Sequence, residues 1–155
     1  MKMKKGREGV ASRQLKRRDT KKGWRSILEG ISRGSPSLSQ AYQLTQKASR
    51  VGFDWPNIEG VLGKLEEEMG EFREALFLQD RRRIREEIGD LLFVMANVSR
   101  FLRIHPEEAL KKSLDKFVSR FHYIETCLHT QGKSFSQSTL IEMDQLWEES
   151  KRKKG

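Results

Sequence analysis

The sequence predicts an all-α protein, an antiparallel helical bundle. Apolar residues recur at helical spacing in successive segments of the chain. Residues that start helices (Ser35 with Pro36, Asp80, and Pro106 after His105) stand at the boundaries of those segments. No segment shows the strict alternation of a half-buried strand.

The segments follow in order. "WRSILEG" (residues 24–30) reads as a short docking turn or helix. In "GSPS", Ser35 is the expected N-cap and Pro36 the first helical residue. Leu38, Ala41, Leu44, Thr45, Ala48 and Val51 then keep one face of a first helix that ends near Gly52. After "FDWP", a second helix is expected over residues 57–78. Its stripe is Ile58, Leu62, Leu65, Met69, Phe72 and Leu76, at alternating intervals of four and three. Asp80 caps a third helix striped by Ile84, Ile88, Leu91, Leu92, Met95, Val98 and Leu102. Pro106 opens a fourth, where Glu107 and Glu108 complement the helix dipole, and Leu110, Leu114, Phe117, Phe121, Ile124 and Leu128 line it. "TQGKSFSQS" is a loop. A last helix runs from about Thr139 to Lys151 with Leu140, Met143, Leu146 and Trp147. Helices joined by such short turns lie antiparallel.

A length of 155 residues suits one domain with a tail. The charge is unevenly placed. Residues 1–33 hold 12 Lys+Arg and 3 Asp+Glu, whereas residues 34–155 hold 19 of each. The basicity therefore belongs to the start of the chain, and residues 1–23 read as a disordered basic tail ahead of a domain over 24–155. Such a tail is either a solvated extension or a tether to nucleic acid or a membrane surface; no membrane partner is expected, and nucleic acid is not expected to bind elsewhere on the chain. The basic start is not followed by an apolar run, so no secretory signal is expected. No apolar stretch is long enough for a membrane span. A single cysteine, Cys127, permits no internal disulfide, which fits a reducing, cytoplasmic setting.

The chemistry lies in the acidic residues. Glu68 and Glu71 are three apart on the second helix, and Lys64 shares their flank of the stripe, while Glu66, Glu67 and Glu74 point elsewhere. Glu87 and Asp90 repeat the spacing on the third helix with Arg83 above them. Val94 and Phe101 share that flank, which is therefore expected to meet another helix or a second subunit. When the two helices pack as a hairpin the acidic pairs can face one another. Like charges near apolar walls are unfavourable unless neutralised. Carboxylates alone suit a hard cation, Mg²⁺ with Mn²⁺ as a substitute. The absence of His and Cys from the cluster disfavours zinc, and the Glu-x-x-His pairs that a di-iron bundle site wants do not occur in the sequence. On the fourth helix Lys116 and Arg120 are spaced to contact phosphate together. Trp147 and Trp55 are each either core residues or walls against a nucleotide base. No phosphate-binding glycine loop and no Ser, Cys or His nucleophile arrangement is readable.

"EEMGE" (residues 67–71) followed by "EEIGD" (residues 86–90) resembles the acidic signature of the MazG nucleoside triphosphate pyrophosphohydrolases, of the all-α NTP pyrophosphatase superfamily. "SPSLSQAYQLTQKASRVGFDWP" is similar to the family's lead-in helix and junction, and "MDQLWEESKRK" to its closing helix. The resemblance covers residues 24–154 in one copy, and the basic segment stands where many members carry a preceding copy. It implies a MazG-like bundle completed by dimerisation, in agreement with the apolar flank at Val94 and Phe101. It implies Glu68, Glu71, Glu87 and Asp90 as Mg²⁺ ligands. It also implies Lys64, Arg83, Glu86, Asp90, Lys116, Arg120, Trp147 and Lys151 as nucleotide contacts. The implied reaction is hydrolysis of NTPs and dNTPs to monophosphate and pyrophosphate, in nucleotide-pool house-cleaning. One of Glu67, Glu68 and Glu71 would accept the proton of the attacking water. Two other readings stand beside it: a pyrophosphatase for one nucleotide (dUTP, dCTP or phosphoribosyl-ATP), and a non-catalytic helical interaction module whose tail binds nucleic acid.

Overall fold

The computed structural model describes residue 23 and residues 25–153; residues 1–22 of the expected tail, together with Trp24, lie outside the described residues. Among the described residues, five α-helices follow: α1 (Ser37–Ser49), α2 (Ile58–Phe77), α3 (Arg81–Phe101), α4 (Pro106–Thr130) and α5 (Leu140–Arg152), with one 3-10 turn at Phe135–Gln137. The described residues contain no strand.

The boundaries have local causes. Asn57 caps α2, its side chain accepting from the Gly60 amide. Asp80 caps α3 by accepting from the amides of Arg82 and Arg83. Thr139 and Glu142 form a reciprocal capping box on α5. At α1 the expectation is corrected: Pro36 is the cap residue, no side chain caps the helix, and Ser37 is the first helical residue. The Pro36 backbone is extended (φ −54°, ψ 144°), so the ring sits just before the first turn rather than in it.

α2 and α3 pack as a hairpin, α1 lies across α3, and α4 touches α1 and α3 near its start. α5 packs on α4, away from the hairpin. The small core joins Val61 of α2 to Val94 and Val98 of α3, with Ile58, Leu65 and Phe101 around them.

This core differs from the expected stripe. Val61, Glu68 and Ala75, seven apart, form the buried line of α2, whereas Leu62, Met69 and Leu76 are 41%, 37% and 47% exposed. On α3, Val94 and Phe101 pack against the chain's own α2 rather than a second subunit, while Ile88, Leu92 and Met95 are exposed. The physical reason is the width of the apolar arc. Both helices carry two adjacent apolar lines, and the narrower side chains let the backbones approach inside the hairpin. The larger ones remain outside as a contiguous face of the kind that marks an interaction surface.

A close backbone approach fixes the α1–α2 junction. The Trp55 indole lies over the first turn of α2, where a Cβ on Gly60 would meet Trp55 Cδ1 at 2.6 Å. Asp54 accepts two hydrogen bonds from the Arg100 guanidinium, at 2.6 and 3.0 Å, which ties the junction to α3.

Candidate active site

The buried line of α2 carries Glu68 and that of α3 carries Glu87, so the hairpin presses two carboxylates into its own interface. Both are buried, at 6% and 8% exposure. Glu71 stands one turn from Glu68 at the exposed edge. Each of the three offers an oxygen within 4.8 Å of the others. Asp90 is exposed, one turn beyond Glu87, and is not one of this convergent group.

The electrostatics are one-sided. Burial, and then the charges of Glu71 and Glu68, push the Glu87 carboxyl above its ordinary range. Its Oε2 is buried with no hydrogen-bond partner. Lys64 is the cation nearest the group, its Nζ 2.7 Å from Glu68 and 2.8 Å from Glu67. Those two carboxylates hold the Lys64 ammonium well above its usual range, hydrogen bonding to Glu67 being the larger cause. Arg83 turns aside to Glu74, at 3.0 Å. Hydrogen bonding to Glu74 raises its pKa, and the charge of Glu87 adds a smaller push in the same direction. Glu71 makes no hydrogen bond or ion pair among the described residues.

Three carboxylates from two helices, one with an orphaned buried oxygen, make an oxygen-only donor set that lacks positive charge. Lys64 neutralises one side of it. A divalent cation would satisfy the rest, and the all-oxygen chemistry suits Mg²⁺ or Mn²⁺ over zinc.

The remaining sequence candidates divide between two places. Glu67 and Glu86 are exposed on the hairpin beside the acidic group. Lys116, Arg120, Trp147 and Lys151 lie on α4 and α5. There Arg120 stacks over Trp147 at 5.5 Å, Trp147 meets Phe117 at 5.4 Å, and Lys151 pairs with Glu148. α5 packs on α4, and among the described residues none of Lys116, Arg120 and Lys151 pairs with the three carboxylates. A wide cavity of about 720 Å³ along α4 is lined by Arg120, Tyr123 and Lys153 and contains none of the three acids.

Sequence reasoning missed Asp54, Asn97 and Arg100. Asn97 is 3% exposed and accepts from Arg100 Nε at 2.8 Å. Its signal was available: it stands seven residues after Asp90, on the same line of α3.

Residues 57–124, which carry the hairpin acids, match the MazG nucleotide pyrophosphohydrolase domain. A Thermotoga maritima protein named nucleoside triphosphate pyrophosphohydrolase/pyrophosphatase MazG is 44% identical over 116 residues, which is 75% of this chain and 44% of that protein. An Escherichia coli nucleoside triphosphate pyrophosphohydrolase is 34% identical over 135 residues, 84% of this chain and 51% of its own length. The chain thus spans about half the length, or less, of these curated relatives. The matched domain over residues 57–124, the two relatives and the helices of the described residues agree in likening this chain to the MazG family.

Proposed function

We propose that this chain hydrolyses nucleoside triphosphates, ribo and deoxy, to the monophosphate and pyrophosphate. The observation that carries the reading is the convergence of Glu68, Glu71 and Glu87, with a buried oxygen of Glu87 left without a partner. Lys64 compensates one side of that arrangement, and a bound cation would compensate the rest. The names of the relatives support the reaction class.

Glu68, Glu71 and Glu87 would hold Mg²⁺, or Mn²⁺ in its place, with Asp90 reaching it from the next turn. Such an ion supplies a lowered water pKa and charge neutralisation on the phosphates. In the reaction a water oxygen bonds to the α-phosphorus, and the bond from that phosphorus to the oxygen bridging to the β-phosphate breaks. Pyrophosphate carries away the bond's electron pair. Lys64 engages one oxygen each of Glu67 and Glu68, and one of Glu67, Glu68 and Glu71 takes the water's proton. Lys64, at the edge of the group, is placed to meet a phosphate oxygen when substrate enters. Glu86 and Arg83 flank the entrance from α3.

The leaving pyrophosphate needs cations that one chain keeps on α4 and α5. A second copy supplies them in this reading. The apolar face of Leu62, Met69 and Leu76 with Ile88, Leu92 and Met95 is exposed and suits a twofold interface. Lys116, Arg120, Trp147 and Lys151 of one copy then serve the carboxylates of the other. The same logic gives a basic tail over residues 1–23 no part in turnover. A free nucleotide pool as substrate sets the reaction in the cytoplasm.

The test is pyrophosphate release with Mg²⁺ across common and modified (d)NTPs, for the intact chain and for Glu71→Gln and Glu87→Gln. The reading expects release that both substitutions abolish with helix content unchanged. Equal release by the variants, or a melting midpoint unmoved by Mg²⁺ and a non-hydrolysable triphosphate, refutes it in favour of the interaction module.

A further inference from the structure

We propose that Tyr123 is a positioning residue for the reaction: through Glu149 and Lys153 it sets the roll of α5 on α4, and with it the presentation of Trp147 and Lys151 to the nucleotide. This rests on the reading in which Trp147 and Lys151 of one copy meet the substrate held by the acids of the other.

Little apolar packing holds α5. It lies on α4, and among its residues only Ser150 is buried, at 4% exposure. A side chain that small offers little apolar surface, and its hydroxyl donates within its own helix, to the Trp147 carbonyl at 2.6 Å. Leu146 and Trp147 are half-buried, and Leu140 and Ile141 are exposed. A helix held along so narrow a line is free to roll about it unless directed contacts stop the motion.

Those contacts stand on one flank. A helix turns about 100° per residue, so Glu149 and Lys151 lie about 100° to either side of Ser150. Lys153, three residues after Ser150, falls on the Glu149 side, and Trp147, three before it, falls on the Lys151 side. On the Glu149 side the Tyr123 hydroxyl of α4 donates to Glu149 Oε1 at 2.8 Å and accepts from Lys153 Nζ at 2.7 Å. Lys153 also pairs with Glu149 at 2.9 Å and lies 5.0 Å from the centre of the Tyr123 ring. One hydroxyl thus uses both its donor and an acceptor on residues one turn apart at the end of α5. The Lys153 ammonium, and then the Tyr123 hydroxyl, hold the Glu149 carboxyl below its ordinary range, so the contact keeps its charge at neutral pH.

The other flank carries the groups assigned to the nucleotide. Arg120 of α4 stacks over Trp147, and Lys151 pairs with Glu148 of its own helix. A rolling helix moves both flanks together, so a hydrogen bond fixed at Glu149 fixes where Trp147 and Lys151 point. Stability is not what the network chiefly supplies. The Lys153 and Glu149 side chains are 61% and 41% exposed, and ion pairs that open to water add little to folding. The effect is geometric: misplacing a substrate-binding group by about 1 Å is enough to cost a large factor in rate.

The experiment measures KM and kcat for ATP with Mg²⁺ in the intact chain, Tyr123→Phe, Lys151→Ala and the double variant. Tyr123→Phe removes one oxygen and keeps the half-buried ring, so helix content should hold. KM should rise roughly fivefold with kcat within about twofold, the pattern of lost uniform binding. In the Lys151→Ala chain the same substitution should raise KM no more than about twofold, because Tyr123 acts through the flank that Lys151 occupies. A KM unchanged within about twofold in Tyr123→Phe, or a rise of equal size in both backgrounds, overturns the inference and leaves the catalytic reading standing. A second measurement needs no turnover. In ¹⁵N-labelled protein the indole N–H signal of Trp147, assigned by its loss in Trp147→Phe, should shift or broaden in Tyr123→Phe and in Lys153→Met, while that of Trp55 stays. A Trp147 signal unmoved in both variants overturns the inference. A moved signal in a chain that releases no pyrophosphate keeps the hold of Tyr123 on α5 and sinks the catalytic reading, and an unmoved one in such a chain overturns both.

Discussion

Replacing Gly60 by alanine tests the packing at the junction of α1 and α2. In an ordinary helix, Gly→Ala gains up to about 1 kcal/mol by removing glycine's excess freedom in the unfolded chain. Gly89, on the exposed side of α3, is such a site, because a methyl added there would meet nothing within 4 Å. At Gly60 the same methyl would stand 2.6 Å from Trp55 Cδ1 and 3.2 Å from its Cβ and Cγ. The neighbours are the root of the indole, not a flexible tip, so the whole side chain must shift. Overpacking of that kind costs roughly 1–3 kcal/mol. Against the propensity gain the net is a loss of about 1 kcal/mol, or a midpoint lower by a few degrees for a domain of this size. Gly89→Ala should move the midpoint up by a similar amount. Thermal unfolding followed by circular dichroism reads both. The double variant Gly60→Ala/Trp55→Ala should cost less than the sum of its parts, because the clash is gone. If Gly60→Ala stabilises as much as Gly89→Ala, Trp55 does not lie over the first turn of α2.

Other outcomes follow from the same geometry. Raising pH should weaken the metal-free chain through Glu87. Its folded pKa lies above the ordinary carboxyl value, so its contribution is complete below the unfolded pKa and is lost as pH rises through the folded one. The difference in stability between the intact chain and Glu87→Gln, measured from about pH 4 upward without metal, should show this slope; a flat difference contradicts it. Arg100→Met should cost about 2–4 kcal/mol by urea unfolding, since it strands both Asp54 and the Asn97 carbonyl. A cost under about 0.5 kcal/mol would mean the pair is solvated. Mixing Glu71→Gln with Arg120→Ala should recover about a quarter of the intact activity if each site draws on two copies of a twofold dimer. No recovery would put the acids and the cations of each site on one chain.

Much of this is legible in the residues, and the parts that are not share a cause. Asp80 and Pro106 mark the starts of α3 and α4 because capping is a local matter of a few backbone groups. Ser35 does not mark the start of α1, because Pro36 alone sets the turn there. The spacing of Glu68, Glu71 and Glu87 is readable, since a helix fixes which residues share a face. Which face turns inward is not. Leu62 and Val61 are neighbours, and only packing against Val94 and Val98 decides that the smaller one is buried. Val94 and Phe101, open on sequence grounds to a second-subunit contact, accordingly fill the hairpin instead. Asp54 and Arg100 are far apart in sequence, so their pairing is beyond any periodicity argument. The same holds for the division of the cations from the acids, because α5 could have folded onto either neighbour.

Direct titration of the metal-free chain with Mg²⁺, and with Mn²⁺ followed by electron paramagnetic resonance, tests whether the three hairpin carboxylates are a cation site. The account predicts saturable binding by the intact chain, weakened at least roughly tenfold in Glu71→Gln and in Glu87→Gln, each of which removes one oxygen donor's charge. Binding of equal strength in the intact chain and both variants would contradict it, because the cation would then be held by something other than Glu68, Glu71 and Glu87.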